Sequence, residues 1–91
     1  MVDMWVIKFT RNAEKDKKLI KSAGLEDKAK KLLNLLASNP FQNPPSYEKL
    51  IGDLNGYYSR RINIKHRLVY RVLEDQNIVV VHSMWSHYGD N

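Results

Sequence analysis

Hydrophobic residues in this chain keep two different periods. Trp5-Val6-Ile7-Lys8-Phe9 is short and rich in aromatic and β-branched residues, which predicts a strand. After it the spacing lengthens. Thr10 or Asn12 is placed to cap a helix running to about Ala23, because a short side-chain oxygen satisfies amides that the first turn leaves unpaired. The apolar face of that helix is thin: Ala13, Leu19, Ile20 and Ala23. Lys15, Lys17, Lys18 and Lys21 surround it and read as a solvated face. Gly24 ends the helix. Leu25, Ala29, Leu32, Leu33 and Leu36 then recur at helical spacing, predicting a second helix from about Glu26 to Ala37 with its leucine stripe in the core. One glycine between two helices predicts an αα-hairpin.

Asn39-Pro40 and Pro44-Pro45 block helix and interior strand alike, so residues 38–46 form a loop. That loop delivers Tyr47-Glu48-Lys49-Leu50 to the rest of the chain. Asn55-Gly56 marks a turn. Period-2 alternation resumes beyond it, with strands predicted at 57–62, 66–73 and 78 to 84 or 85. Short connections make these three antiparallel. The order β-α-α-β-β-β gives an α+β domain, with both helices on one face of an antiparallel sheet. On the second of these strands Leu68, Tyr70 and Val72 share one face; Arg67, Val69 and Arg71 share the other, assigned outward and free to bind.

Ninety-one residues allow one domain, spanning 1–91, that buries roughly 60–65% of its unfolded surface. The absence of cysteine excludes disulfides and thiolate zinc sites. The N-terminal residues lack the pattern of a signal peptide, and the longest apolar run, 78–81, is too short to cross a bilayer. A cytoplasmic protein without a membrane partner is expected. A formal charge of +5 points to an anionic partner.

The stretch 56–72 concentrates that charge, with four arginines, a lysine, a histidine and three tyrosines on predicted strands. Strand centres ordinarily hold apolar and β-branched residues, so these guanidinium groups are presented to something anionic. Glu48, Arg60, Arg61, Arg67, His87 and Tyr88 include the carboxylate, imidazole and guanidinium types that metal-free RNA cleavage uses, types that inert surfaces carry as well. A base removes the 2′-hydroxyl proton, an acid protonates the 5′-oxygen, and a fixed cation stabilises the phosphorane. His82 and His87 lack a third ligand, so no metal site is expected, and no cofactor is implied.

Gly56-Tyr57-Tyr58-Ser59-Arg60-Arg61-Ile62, then His66-Arg67-Leu68-Val69-Tyr70, then His87-Tyr88 closely resembles the YoeB (Txe) family of bacterial toxins, within the RelE superfamily. Asn39-Pro40-Phe41, and Glu48 followed by Leu50 and Leu54, also match. The resemblance implies the toxin of a type II toxin–antitoxin module, a ribosome-dependent endoribonuclease that cuts mRNA in the A site. It implies an antitoxin that covers the catalytic surface. A homodimer is an alternative to a monomer. Carried over residue by residue, it implies Glu48 as general base, His87 as general acid, Arg67 on the scissile phosphate and Tyr88 orienting the nucleotide. Lys49, Arg60 and Arg61 are expected as phosphate contacts. His66 is expected to order its turn, His82 to be an inert strand residue, and Tyr57 and Tyr58 to serve packing or a partner surface.

Two features depart from the family pattern. Gly89-Asp90-Asn91 follow the His-Tyr pair, and Ile51 stands where a lysine is frequent, with Lys49 the nearest substitute. Two other classes compete: a toxin of the same fold directed at gyrase, and a basic RNA- or ribosome-binding module without catalysis. The glutamate, arginine and histidine set argues against the first; the second predicts salt-dependent binding with no new RNA ends.

Overall fold

The computed structural model describes residues 4–85. His87, Tyr88 and the departure at Gly89-Asp90-Asn91 lie outside the described residues. The elements are β1 (Val6–Phe9), α1 (Arg11–Ser22), α2 (Glu26–Ser38), β2 (Glu48–Lys49), β3 (Tyr58–Arg61), β4 (Arg67–Leu73) and β5 (Ile78–Ser83). They form the expected α+β fold: one sheet of five strands, ordered β1-β5-β4-β3-β2, with both helices against one face.

Two details go beyond the sequence reading. β1 pairs with β5 in parallel, so the sheet is mixed rather than wholly antiparallel. The two helices supply the crossover that a parallel pairing needs. Glu48 and Lys49 are also not loop residues. They pair with Ser59 and Tyr58 as a two-residue edge strand.

Local chemistry explains the helix ends. The Thr10 hydroxyl accepts from the Ala13 amide at 3.1 Å and donates to the His82 carbonyl at 2.9 Å, so one residue caps α1 and ties it to β5. At the other end Gly24 takes φ +74°, where a side chain would be strained. The Gly24 amide reaches the Lys21 carbonyl and the Leu25 amide reaches the Ile20 carbonyl. This pair of bonds is a Schellman motif, with Ile20 and Leu25 both in the core.

The core follows the leucine stripe, with Leu25, Ala29 and Leu36 buried against Ile62, Leu68, Tyr70, Val79 and Val81. The expected face of α1 needs correction. Leu19 and Ala23 are exposed; Ala13, Asp16 and Ile20 are buried. Asp16 points inward because its carboxylate accepts from the Met84 amide at 2.9 Å, just past the end of β5. A buried carboxylate with a partner amide avoids the desolvation cost of an unpaired one.

The loop 39–47 is held by an arginine. Arg60 lies on β3 opposite Leu68, on the helical side of the sheet, and is 1% exposed. It donates to the carbonyls of Pro40 (3.1 Å), Gln42 (2.8 Å) and Pro45 (2.7 Å), and through Nε to the Tyr70 hydroxyl (3.1 Å). Tyr70 in turn donates to the Pro40 carbonyl at 2.9 Å. Phe41, Tyr47, Tyr58 and Tyr70 pack around this centre, and the guanidinium sits 4.7 Å from the Tyr47 ring. Burial pushes the Tyr70 hydroxyl above its ordinary pKa, against the opposing pull of Arg60.

Two outcomes follow from this centre. Arg60→Met strands the Gln42 and Pro45 carbonyls and leaves the Pro40 carbonyl to Tyr70 alone, so urea denaturation should show a loss of about 2 kcal/mol or more, while exposed Arg61→Ala should stay within about 0.5 kcal/mol; equal costs would contradict the brace. Tyr70 is an acid whose folded pKa is raised, so its contribution to stability is intact below an unfolded value near 10 and is lost as pH rises beyond it. In a phenolate absorbance titration Tyr70 should ionise above the ordinary tyrosine value, together with unfolding.

Candidate active site

The sheet face away from the helices is laid out in rows. Glu48 stands opposite Ser59, Ser59 opposite Val69, and Val69 opposite Ser83, giving one row across four strands. Arg61 opposite Arg67 makes the next row on the same face. Tyr57 and Arg71, two residues along β3 and β4 on the other side, make a third. Rows lie about 7 Å apart, two residues of strand rise.

Glu48 and Arg67 meet across these rows. The Arg67 Nη2 is 2.8 Å from the Glu48 carboxylate. The Arg67 Nε donates to the Ser59 hydroxyl at 2.5 Å, and Nη2 also reaches the Ser59 carbonyl at 3.4 Å. Ser59 is fully buried, so it holds the guanidinium from beneath while Glu48, 67% exposed at its side chain, closes from the solvent side. Among the described residues, Arg67 Nη1 has no partner. The pair therefore places a carboxylate able to take a proton beside a cation able to bind a phosphate oxygen.

The expected site residues divide. Glu48, Arg61 and Arg67 share the open face. Arg60 does not: it is buried on the opposite face with its donors turned to backbone carbonyls, so it is a brace and not a phosphate contact. Lys49 pairs with Tyr58, so strand alternation sets it on the face opposite Glu48, and it does not stand in for the missing lysine there. Ile51, at that lysine's place, is 76% exposed. His66 orders its turn as expected: the carbonyl of His66 accepts from the amides of Ile62 and Asn63, and its own amide bonds the Asn63 side chain. Its ring also stacks on Trp85 at 4.0 Å, and Nδ1 bonds the Trp85 carbonyl. Ser59 was missed. Its signal was its place in the middle of an arginine-rich strand, where a small hydroxyl can orient a neighbouring guanidinium. Among the described residues no cluster of three or more His, Asp or Glu side chains could hold a metal.

Comparison with known proteins gives this geometry a family. A model described as "YoeB-like toxin of bacterial type II toxin-antitoxin system" matches residues 7–88. The chain belongs to that family. A YoeB toxin of Streptomyces coelicolor is 41% identical over 68 residues, covering 75% of this chain and 74% of the relative. A YoeB/ParE toxin from Agrobacterium tumefaciens superposes with a TM-score of 0.82 at 30% identity, over 91% of this chain and 99% of that one. The toxin in the YoeB-YefM complex from Staphylococcus aureus superposes with a TM-score of 0.77 at 36% identity, over 92% and 98% of the two chains. That organism's YoeB has also been solved as a dimer.

Within this YoeB-like toxin the Glu48 end of the pair is open to water while the Arg67 side chain is 17% exposed, so solvent screens the contact from the carboxylate side and holds its contribution to about 1 kcal/mol or less. Glu48→Gln should therefore shift unfolding free energy by less than about 1 kcal/mol, measured by urea denaturation. A larger loss would mean that the pair is a structural strut.

Proposed function

We propose that this toxin is an endoribonuclease that cleaves mRNA in the ribosomal A site and so inhibits translation. The observation that carries the reading is the Glu48–Arg67 contact on the open sheet face, where a base and a phosphate-binding cation lie 2.8 Å apart. Glu48 takes the 2′-hydroxyl proton as that oxygen attacks phosphorus. The bond from phosphorus to the 5′-oxygen breaks, and His87 gives the leaving oxygen a proton. The products are a 2′,3′-cyclic phosphate and a 5′-hydroxyl end. Arg67, steadied by Ser59, carries the charge that builds on the phosphorane oxygens. Arg61 adds positive charge one row away, and Tyr88 orients the nucleotide. A cognate antitoxin covers this face in the resting cytoplasm, and the YoeB-YefM complex of the Staphylococcus aureus relative supports that pairing. The dimer of the same relative supports self-association as a further state.

Purified ribosomes programmed with a defined mRNA test the assignment. Glu48→Ala, Arg67→Ala and His87→Ala should each slow cleavage by on the order of a hundredfold or more, with unchanged thermal midpoints for Glu48→Ala and His87→Ala. If all three cut at the wild-type rate, the assignment is wrong. Loss of supercoiling activity by gyrase with intact mRNA would move the protein to the gyrase-directed class. Salt-dependent ribosome binding without new RNA ends would make it a binding module.

A further inference from the structure

The third row of the open face carries a cluster that the cleavage mechanism does not use. β5 pairs Val69 with Ser83 but Tyr70 with Val81, so His82 is an extra residue with no partner on β4. This is a β-bulge, a feature that re-aims side chains. Val81 and Met84 both remain in the core, and His82 turns to the other face. There its ring meets Tyr57 edge-on at 5.2 Å. The Arg71 guanidinium lies 5.9 Å from the same Tyr57 ring. Tyr57 and His82 are half-buried and Arg71 is exposed. Two aromatic rings, braced against each other beside an exposed cation, therefore stand roughly 7 Å along the strands from the Glu48 row.

We infer that Tyr57 and His82, flanked by Arg71, form a stacking subsite for one base of single-stranded RNA next to the scissile phosphate. The inference rests on the endoribonuclease reading above. Stacking on aromatic side chains suits any base, because each has a π face, and an adjacent arginine adds a cation–π contact and a phosphate partner. The site is on the same face as Glu48 and Arg67, so a strand whose phosphate sits on Arg67 extends over it without crossing a sheet edge. An apolar protein segment would leave Arg71 and the imidazole without use, which favours RNA as the occupant.

Cleavage on programmed ribosomes tests this, using mRNAs that carry an abasic nucleotide at each position flanking the cut. Tyr57→Leu and His82→Ala should each lower kcat/KM on ordinary mRNA by on the order of tenfold or more, and Tyr57→Phe, which keeps the ring, should recover most of what Tyr57→Leu loses. On mRNA abasic at one flanking position the penalty of both variants should vanish, because the base they stack is already gone. The wild-type protein should lose a similar factor at that same position, which keeps the test valid should a variant fold poorly. Penalties that persist on every abasic mRNA would overturn the subsite. So would unchanged cleavage accompanied by weaker antitoxin binding, which would make the cluster a protein contact. The wild-type protein separates the two levels: if it makes no new RNA ends on programmed ribosomes the endoribonuclease reading fails, whereas if it cleaves and no abasic position matters, only the subsite fails.

Discussion

Arg60 is the side chain on which the site's geometry depends. Residues 39–47 contain three prolines and make little regular structure of their own, so their carbonyls need donors from elsewhere. One guanidinium provides three of them, from Pro40, Gln42 and Pro45. Its planar fork can reach several acceptors at once, which a lysine ammonium on a flexible stem does less well. The charge is buried at a desolvation cost, offset by those carbonyls, by Tyr70 and by the Tyr47 ring. What this secures is the entry to β2. Glu48 comes three residues after Pro45, and its place opposite Ser59 requires the loop to arrive at the sheet edge in one register.

Most of the architecture is legible in the sequence because it rests on local rules. A leucine stripe at helical spacing, a glycine at a helix end and alternating strands each declare themselves without tertiary information. The arginines show where such rules stop. Arg60 and Arg61 are adjacent on one strand, so alternation puts them on opposite faces, but hydrophobicity assigns both to water. Only the loop carbonyls converging above β3 make the inward position favourable for one of them, and those carbonyls belong to a segment whose course no periodicity encodes. Asp16 is hidden for the same reason. Its stripe position on α1 is clear afterwards, yet a carboxylate in a core face becomes readable only when Met84 presents an amide to it. The parallel partner of β1 and the edge strand at Glu48 are likewise set by long-range pairing.

The β-bulge on β5 reconciles two demands that strict alternation cannot meet together. Val81 and Met84, three apart, both belong to the core, and in a regular strand they would face opposite ways. The extra residue restores the phase and leaves His82 and Ser83 toward the open face. The same segment is secured from several directions. The Thr10 amide and hydroxyl bond the Val81 and His82 carbonyls, Asp16 bonds the Met84 amide, and His66 stacks on Trp85. The chain thus leaves β5 from a fixed point beside the Arg61–Arg67 row.

These contacts separate what folds the protein from the open-face pair proposed to act on substrate. The strong, dry interactions are Arg60 with its carbonyls, Asp16 with Met84, and the leucine stripe, all on the helical side or at the strand's end. On the open face the Glu48–Arg67 contact is wet at its carboxylate end, while the largely buried Arg67 side chain is held through Ser59 beneath it. A pair that contributes little to folding can exchange its mutual contact for a phosphate at little cost, because the guanidinium keeps its Ser59 bond while its outer edge changes partner. The preorganised part of the pair is therefore Arg67 on Ser59, and in the proposed reaction Glu48 would be the part that moves from ion-pair partner to base as a substrate phosphate takes its place on the guanidinium.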